Sequence, residues 1–515
     1  MDKALEQEAK FELAEGAALP DLAGVAAGVQ ATDRPTLDLI ARYYDTADLR
    51  LLRRGVTLRH RREAGSGDTE SGAGRWTLKL PAKAGRATFA RTELYWPGPA
   101  GTVPAEPTGL VRALTLGEDL IPVAEIHTLR RRVALSDDSG NALAEVDDDS
   151  VTISPASGQE TRFREVEVEL TGGDGELLGA IAARLEAAGA EREPDEPKLA
   201  RALIREPQDV PARGHGAPEG ELTRAAVSRG LDQILHQDVG LRIDDDPEFV
   251  HQARVATRRM RADLATFGAR VDPDWLEQTR EELKWLAAAL GRVRDADVLA
   301  GRLADHATDA GPAEATSFPE LQGVLSTERS HALADLREIL ASSRYLALLQ
   351  ELNRAATDSP PAAAPDTGSE ADAGDDDSPL AHSADEVTHL VNRRWARFRR
   401  RVDDLGHDPS NEELHAVRIA AKKVRYAADA AEPLVGEGAK RFAGNIADLQ
   451  SVLGDHHDSV VAEQWCRRVA ETGPAGAGPA ARYCIEEEHR TQARDRRRWE
   501  EEWERVARHH HPHAW

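Results

Sequence analysis

The sequence predicts an α+β chain with two domains, a β-rich N-terminal domain and an all-α C-terminal domain. Charged and apolar residues alternate through much of residues 1–205, which is the period of strands. Apolar residues recur at three- and four-residue intervals in residues 221–357 and 384–508, which is the period of helices. A basic motif occurs twice in this helical region. The length of 515 residues is sufficient for two or more folded domains.

The N-terminal domain, residues 1–205, contains strand-like segments separated by turns. They lie at residues 6–11, 56–61, 76–80, 88–96, 128–135, 142–146 and 162–170. A helix is expected over residues 176–188, which follow one glycine and precede another. In the first strand, a period of two places Glu6, Glu8 and Lys10 on one face.

Most predicted strands have one charged face and one apolar face. The basic side chains on these faces are Arg59, Arg61, Lys79, Arg91, Arg130 and Arg132, and the acidic ones are Glu165, Glu167 and Glu169. A sheet with one face in solvent alternates in the same way. If the charged faces instead converge inside a barrel, the acidic wall suits Mg²⁺ or Mn²⁺ and the basic wall suits a chain of phosphates.

Two segments differ in composition from the domains around them. Residues 206–220 are rich in Pro and Gly and are predicted to be a linker. Residues 358–383 combine Pro, Ala and Ser with a run of Asp and contain no aromatic residue. This acidic insertion is predicted to be disordered because it cannot bury a core. It separates two repeats, residues 221–357 and 384–508, of a helical domain that spans residues 221–508.

The basic motif has the same spacing in both repeats. Its members are His251, Arg254, Arg258 and Arg261 in the first copy, and His415, Arg418, Lys422 and Arg425 in the second. On a helix, such a set falls within an arc of roughly 80° and forms one stripe. Leu290-Gly291 and Leu453-Gly454 follow the two histidines at nearly equal intervals. Two matched signals indicate a duplicated helical bundle.

The stripes suit a polymeric phosphate, although a single basic run is more often a solvated helix face. No aromatic residues are interleaved with them, which argues against single-stranded nucleic acid. The formal net charge of −25 argues against general binding to nucleic acids or to anionic membranes. Asp295, Asp297, Asp458, His456 and His457 could bind a metal ion, but helix capping and ion pairing explain them more simply.

The remaining composition narrows the class of protein. Cys466 and Cys484 are the only cysteines, so neither a disulfide framework nor a cysteine-rich metal site is possible. The N-terminus begins with charged residues, and no stretch of about 18 apolar residues occurs. A soluble, cytoplasmic protein is therefore expected.

The N-terminal domain resembles the CYTH, or triphosphate tunnel metalloenzyme, family over residues 3–205. The resemblance rests on Glu6-x-Glu8-x-Lys10, Tyr44-Asp45-Thr46, the segments 55–61 and 76–79, the strand containing Glu165–Glu169, and Lys198 in Glu196-Pro197-Lys198. It implies an eight-stranded antiparallel β-barrel whose tunnel binds a triphosphate and a divalent metal ion. Residues 221–508 resemble a CHAD domain, which implies polyphosphate binding by the two basic stripes. The order of the two domains is that of bacterial CYTH–CHAD inorganic triphosphatases.

The resemblance implies metal-dependent hydrolysis of inorganic triphosphate, with Glu6, Glu8 and Lys10 as catalytic residues. Metal ligands would be Glu6, Glu8, Glu165, Glu167 and Glu169, binding Mg²⁺ or Mn²⁺. Substrate would be held by Lys10, Arg59, Arg61, Lys79, Arg91, Arg130, Arg132 and Lys198. Two alternatives remain. One is a nucleoside or thiamine triphosphatase, or an adenylate cyclase, on the same barrel. The other is a non-catalytic protein that binds polyphosphate and associates with polyphosphate granules.

Overall fold

The computed structural model of the chain describes residues 2–14, 16–64, 74–81, 90–192, 197–203, 221–268, 271–358 and 384–509. The chain divides into two compact units, Met1–Val210 and Pro211–Trp515. The N-terminal unit is built on an antiparallel sheet and the C-terminal unit is helical, so the predicted two-domain α+β architecture is confirmed. Within the described ranges, no helix combines the length and the apolar content needed to cross a bilayer.

In its described residues, the N-terminal unit contains nine strands in one sheet and three short α-helices. The strands are β1 (Asp2–Glu12), β2 (Gln30–Asp45), β3 (Thr57–Glu63), β4 (Gly74–Leu80), β5 (Ala90–Gly98), β6 (Ile121–Ser136), β7 (Ala142–Pro155), β8 (Thr161–Leu170) and β9 (Glu191–Arg192). The helices are α1 (Ala105–Val111), α2 (Gly175–Ala187) and α3 (Ala200–Leu203). The strand order is β5-β4-β3-β2-β6-β7-β8-β1-β9, and neighbouring strands are antiparallel.

The sheet differs from the expected eight-stranded closed barrel in two respects. The two-residue strand β9 adds a ninth strand beside the C-terminal end of β1. The sheet is also not closed along its whole length, because β1 pairs with β5 over residues 2–7 and with β8 only over residues 8–12. The sheet therefore curls back on its first strand, and this curvature gives it a concave face.

The alternation of charged and apolar residues did not predict β2. The first half of this strand is polar and mostly exposed, so it lacks the alternation that marks a half-buried strand. Pro35 also removes a backbone donor, and the register with β6 shifts between Arg34 and Leu37. The buried second half, ending at Tyr43-Tyr44-Asp45, pairs with both β3 and β6.

The alternation predicted for the other strands separates a core from a charged face. Phe11 on β1 and Val166 and Val168 on β8 are fully buried in one apolar cluster with Ile181 and Leu185 of α2. Burial of side chains of this size contributes on the order of 1.5–3 kcal/mol each. Because neighbouring residues on a strand point to opposite faces, Lys10, Glu165 and Glu167 point away from this cluster.

The C-terminal unit contains ten helices in its described residues. They are α4 (Glu221–Ile243), α5 (Pro247–Phe267), α6 (Pro273–Asp309), α7 (Pro312–Ala315), α8 (Phe318–Ala341), α9 (Ser343–Thr357), α10 (Ala384–Asp403), α11 (Asn411–Val435), α12 (Glu437–Thr472) and α13 (Gly478–His509). The predicted linker and most of the predicted acidic insertion lie outside the described residues.

The two motif-bearing helices occupy matching places in the two repeats. Helix α5 begins after Asp246, whose side chain accepts a hydrogen bond from Glu248 N, and α11 begins with a capping box formed by Ser410 and Glu413. Each is followed by a long helix, α6 with 37 residues and α12 with 36. Helices α5 and α11 also contact each other. The duplicated motif therefore comes together within one unit.

Candidate functional site

The concave face of the sheet encloses a cavity of about 220 Å³. Eight residues predicted from the sequence line it, namely Lys10, Arg59, Arg61, Lys79, Arg130, Glu167, Glu169 and Lys198. Five other charged or aromatic lining residues were not among the predicted site residues, namely Tyr43, Arg75, Glu93, Tyr95 and Asp147. The charged faces of the strands thus converge on one cavity, as expected if the alternating pattern belongs to a barrel.

The acidic wall of the cavity is formed by β7 and β8. Their register pairs Asp147 with Glu167 and Asp149 with Glu165. Arg130 on β6 donates two hydrogen bonds to Asp149, of 2.8 and 2.7 Å, and one of 2.8 Å to Glu167. It also forms an ion pair with Asp147. One guanidinium therefore holds three carboxylates together.

Two lysines complete this wall. Lys198 Nζ lies 2.5 Å from Asp149 Oδ2 and 3.5 Å from both Glu165 Oε1 and Glu167 Oε2. Lys10 Nζ lies 3.5 Å from Glu167 Oε1, across the β1–β8 register. Basic groups from other parts of the chain therefore lie between the carboxylates of this wall, although β8 itself carries only acidic side chains on this face.

Burial and these cations set different ionisation properties for neighbouring carboxyl groups. Burial would raise the pKa of Glu167, but Lys198, Lys10 and Arg130 outweigh it and hold that pKa well below its usual range. Burial raises the pKa of Glu165 to about 7, against the opposing effect of Lys198. Burial likewise raises the pKa of Asp147 to about 6, against Arg130. Glu167 is therefore ionised at neutral pH, whereas the pKa values of Glu165 and Asp147 lie close to neutral pH.

The basic wall is formed by β3 and β4. Arg59 Nη1 donates a 3.2 Å hydrogen bond to the Tyr43 hydroxyl. Arg61 pairs in register with Arg75, so two guanidinium groups lie on adjacent strands. The charge of Arg59, together with burial and the charges of Arg130 and Arg75, lowers the pKa of Arg61 to about 10. This end of the cavity has an excess of positive charge that a bound anion would relieve.

A separate network on β4 and β5 holds Lys79 in place. Glu93 is 2% exposed, forms an ion pair with Lys79, and accepts a 2.6 Å hydrogen bond from the Tyr95 hydroxyl. Burial opposes ionisation of Glu93, but Lys79 and Arg59 lower its pKa to about 2. The guanidinium of Arg75 lies 4.1 Å from the centre of the Tyr95 ring. Alternation of Arg91 with Glu93 in the sequence was the signal that could have identified Glu93.

The structure separates a few predicted residues from the cavity. Arg132 forms an ion pair with Glu145 and is not among the lining residues that the structure describes. The side chains of Glu6, Glu8 and Arg91 lie outside the described residues. The backbone register nevertheless pairs Glu6 with Arg91 and Glu8 with Glu169.

The carboxylates of this wall have the chemistry expected of ligands for a hard divalent cation. Asp147 Oδ1 and Glu165 Oε1 are buried and accept no hydrogen bond. Carboxylate oxygens are the ligands that Mg²⁺ and Mn²⁺ prefer. Over the described part of the chain, however, no three acidic, histidine or cysteine side chains are arranged as a metal-binding group. The donor type fits a metal ion.

The C-terminal unit contains a second charged site, where the basic stripes of α5 and α11 meet. Arg258 on α5 lies 5.6 Å from the ring centre of Tyr426 on α11. Burial, and then the charges of Arg418, Arg258 and Arg254, lower the pKa of Lys422 to about 8. The Nε atoms of Arg258 and Arg418 are buried and donate no hydrogen bond. We call Arg254, Arg258, Arg418 and Lys422 the cation cluster.

The repeated glycines explain how the arginines reach this cluster. A Cβ atom added to Gly291 on α6 would clash with Arg254 Nη1, and one added to Gly454 on α12 would lie 3.9 Å from Arg418 Nε. Both glycines therefore lie where an arginine of the preceding helix crosses the next helix. The Leu-Gly signal and the basic motif belong to one packing arrangement.

The outer members of the stripes have other surroundings. Burial and Arg280 lower the pKa of Arg261. Arg425 Nε lies 3.5 Å from Asp429 on its own helix. At the opposite end, His415 Nδ1 lies 3.1 Å from His457 Nδ1 on α12. The stripes thus meet at their centres, and their outer members have neighbours within their own repeats.

The acidic residues near the cluster form ion pairs with arginines. Arg254 Nη2 lies 3.6 Å from Asp295, and Arg329 Nε donates a 2.6 Å hydrogen bond to Asp297. Asp458 acts electrostatically on Arg418 and partly offsets the effect of burial on its pKa. These carboxylates lie at the edge of the cation cluster and neutralise part of its charge.

Comparison with known families matches both units. A CYTH domain model matches residues 4–203 and a CHAD domain model matches residues 225–467. Among solved structures, PptA from Streptomyces chartreusis is 19% identical, with 56% of this chain and 100% of that chain covered and a TM-score of 0.44. The CHAD domain from the plant Ricinus communis is 24% identical, with 54% and 88% covered and a TM-score of 0.43.

A full-length relative links the two units in one protein. An uncharacterized protein of Mycobacterium tuberculosis is 32% identical over 482 residues, which covers 89% of this chain and 88% of the relative. The match extends across both domain models in the same order. The chain therefore belongs to the family of proteins in which a CYTH domain is followed by a CHAD domain.

Proposed function

We propose that the N-terminal cavity hydrolyses inorganic triphosphate with a divalent cation, Mg²⁺ or Mn²⁺, and that the cation cluster of the C-terminal unit binds polyphosphate. CYTH proteins include triphosphatases and are generally dependent on divalent metals. The observation that carries the proposal is the division of one cavity into an acidic and a basic wall. Such a cavity offers both oxygen ligands for a cation and donors for the phosphates that accompany it.

The basic residues would bind and orient the substrate. Arg59 and Arg61 lie on the wall with excess positive charge and would take the phosphate that is least neutralised by a cation. Lys10, Arg130 and Lys198, which are already placed between carboxylates, would contact the phosphates beside the acidic wall. Lys79, held by Glu93, would add a further positive charge. Fixed charges of this kind lower the barrier to phosphoryl transfer without a nucleophilic side chain.

The acidic residues would hold the cation and the attacking water. Glu6, Glu8, Glu165, Glu167 and Glu169 are the proposed ligands. A bound divalent cation would neutralise part of the phosphate charge. A carboxylate of the Glu6–Glu8 pair would orient the water and accept its proton.

The aromatic residues of the cavity favour inorganic triphosphate over a nucleoside or thiamine triphosphate. A base or a thiamine ring requires an aromatic surface or an apolar recess for stacking. The Tyr43 hydroxyl is engaged by Arg59, and the Tyr95 ring is covered by Arg75. Among the described lining residues these are the aromatic ones, and the other apolar members, Leu39, Ala41 and Ile126, are aliphatic.

Polyphosphate binding is proposed for the C-terminal unit because its cations face each other. Bringing guanidinium and ammonium groups together in a half-buried site costs free energy unless an anion neutralises them. Burial, and then the charges of Arg418, Arg258 and Arg254, lower the pKa of Lys422 to about 8, in line with such a cost. A polymer that presents a negative charge on every phosphate would relieve it along both helices, with His251, Arg261, His415 and Arg425 as contacts at either end.

The test is phosphate release from a panel of inorganic triphosphate, ATP and thiamine triphosphate with Mg²⁺ or Mn²⁺. Glu167→Gln should abolish release from inorganic triphosphate, because it removes a carboxylate that contacts Lys10, Arg130 and Lys198. The matched control is Glu160→Gln, which affects an exposed ion pair with Arg162.

Preference for an organic triphosphate would contradict the substrate assignment. A wild-type protein that binds polyphosphate but hydrolyses nothing in the panel would support the non-catalytic alternative.

A further inference from the structure

The histidine end of the cation cluster contains a pair of imidazoles in hydrogen-bond contact. His415 on α11 and His457 on α12 have their Nδ1 atoms 3.1 Å apart and their ring centres 4.3 Å apart. A hydrogen bond between two Nδ1 atoms requires one of them to carry a proton and the other to carry none. The pair in this geometry therefore has one Nδ1 proton between its two rings, and each neutral imidazole retains one N–H.

Cations dominate the surroundings of this pair. Burial, followed by Arg418 and Lys422, lowers the pKa of His415. Burial, followed by Arg418, His415 and Lys422, lowers the pKa of His457 to about 4. His456 also acts on His457, and Asp458 follows His457 on α12. Beyond these, Arg254 and Arg258 on α5 act on Arg418 and Lys422, while Asp295 and Arg302 on α6 and Asp455 on α12 act on Asp458. Without an anion, both imidazoles are thus neutral at physiological pH.

The first repeat has a different residue at the corresponding position. Leu290-Gly291 aligns with Leu453-Gly454, so Arg294 is the counterpart of His457. Arg294 also lies near His251, as His457 lies near His415, since its charge lowers the pKa of His251 after burial does. A guanidinium keeps its charge at any pH that proteins experience, whereas an imidazole gains and loses its charge near neutrality. The two ends of the site are therefore chemically distinct.

We propose that the His415–His457 pair binds phosphate together with a proton, whereas the Arg294 end binds phosphate with a charge it always carries. This inference rests on the proposed binding of polyphosphate by the C-terminal unit. A phosphate that neutralises Arg418 and Lys422 removes the repulsion that, after burial, keeps the pair neutral. A proton from solvent then converts one imidazole to imidazolium, which donates a hydrogen bond to a phosphate oxygen. Binding and protonation are reciprocal, so affinity must rise as pH falls.

Proton uptake on binding is the direct measurement. Full-length protein is titrated calorimetrically with long-chain polyphosphate, whose end groups are few, at pH 7 in two buffers that differ in ionisation enthalpy. Lys422 could also take up a proton, so the measurement is made in a Lys422→Arg background as well as in the wild type. We expect uptake of a substantial fraction of a proton per site in both, and an affinity several-fold tighter at pH 6.5 than at pH 8.

Three variants make the result specific to the pair. They are made in the Lys422→Arg background, so that position 422 takes up no proton. His457→Arg gives the second repeat the residue of the first, and it should abolish both the proton uptake and the pH dependence while tightening binding at pH 8. His457→Gln should also abolish the uptake but weaken binding at pH 6.5. The control His331→Arg makes the same substitution at an exposed histidine on α8 and should retain the uptake of the background. Circular dichroism would establish that each variant is folded.

The outcomes separate this inference from the function on which it rests. If wild-type protein does not bind polyphosphate, the proposed binding function is wrong and the inference is wrong with it. If binding occurs without proton uptake, or if His457→Arg retains the uptake, the proposed binding stands and the role of the histidine pair is wrong.

Discussion

The cavity of the N-terminal unit and the cation cluster of the C-terminal unit are both built from arginine and lysine, but they differ in how those charges are balanced. In the cavity, Arg130 and Lys198 each contact three carboxylates. In the cluster, Arg258, Arg418 and Lys422 lie near one another, and carboxylates such as Asp295 lie at the edge. The first arrangement can accommodate a cation and an anion together, while the second can only attract an anion.

The difference also separates two ways in which a protein can hold phosphate. A balanced site is nearly neutral before the ligand arrives, so its charges are fixed by one another and can be aimed at a reacting group. An unbalanced site is strained by its own repulsion, and the ligand contributes stability when it binds. We therefore expect substitutions in the cavity to reduce turnover and stability together, and substitutions in the cluster to weaken binding without destabilising the fold.

The largest effect is expected for Lys198→Met. This substitution leaves Asp149, Glu165 and Glu167 without a shared ammonium, and removal of one partner of a buried ion pair costs about 3–5 kcal/mol. Hydrolysis of triphosphate should fall by about 100-fold or more. The measurements are phosphate release and urea unfolding of the purified variant.

The matched control for this comparison is Lys284→Met. Lys284 is an exposed lysine on α6 that pairs with Glu281, so its loss should change stability by less than about 1 kcal/mol. Near-normal turnover of Lys198→Met would show that the balanced charges of the cavity are not needed for catalysis.

A smaller effect is expected within the cluster, from Arg418→Gln compared with Arg425→Gln. Both residues lie on α11, but Arg425 is close to Asp429 while Arg418 has a buried Nε atom with no hydrogen-bond acceptor. Loss of a charge-assisted contact of about 1.5–3 kcal/mol predicts about a 10- to 100-fold weaker binding of polyphosphate for Arg418→Gln. Arg425→Gln should lose less, and both variants should hydrolyse triphosphate normally. Equal losses of affinity would show that the stripes act uniformly along their length.

The pH dependence of Lys422 tests the imbalance itself. The pKa of Lys422 is lowered from 10.5 to about 8, so its charge is present below pH 8 and is lost above it. Polyphosphate affinity should fall up to about tenfold between pH 7 and pH 9. The stability of the free protein should instead rise from pH 8 to 10.5, because the unfolded chain binds more protons there than the folded chain.

Both trends can be followed by thermal unfolding with and without polyphosphate. Lys422→Arg should remove the stability trend and the fall in affinity above pH 8, since a guanidinium stays charged over this range, whereas the histidine pair still changes the affinity below pH 8. If the affinity of wild-type protein is constant from pH 7 to pH 9, the lysine does not contribute its charge to the ligand.

The smallest effect is expected from the repeated glycines. Gly291→Ala places a methyl group against Arg254 and should weaken polyphosphate binding a few-fold by displacing that guanidinium. Gly454→Ala introduces only an ordinary contact with Arg418, so it should leave binding unchanged and gain about 0.5–1 kcal/mol of helix stability. Titration of both variants with polyphosphate, with thermal unfolding alongside, would show whether the two crossings differ in this way.

Sequence reasoning predicted the faces of elements better than the contacts between them. Alternation placed Arg59, Arg61 and Glu167 on charged strand faces, because side-chain direction follows from strand period alone. It did not identify Arg75 or Asp147, whose position in the cavity depends on the register with neighbouring strands. Register is a property of pairing, and no single strand contains it.

The same limit applies to the helices. The spacing of the motif predicted two stripes, yet it could not show that α5 and α11 contact each other through their centres. Helical period specifies a face but leaves open which other helix that face meets. For this reason Arg261 and Arg425 were grouped with Arg258 and Arg418, although the structure gives them different neighbours.

The facing repeats have a consequence for how a polymer could enter the site. A polyphosphate chain is identical in its two directions, and a site formed by two copies of one helical unit is nearly so. The polymer could therefore bind in either direction with equal affinity, which a single helix would not permit. The exchange of arginine for histidine at position 457 breaks that equivalence, and the copies are then no longer interchangeable once protons are counted.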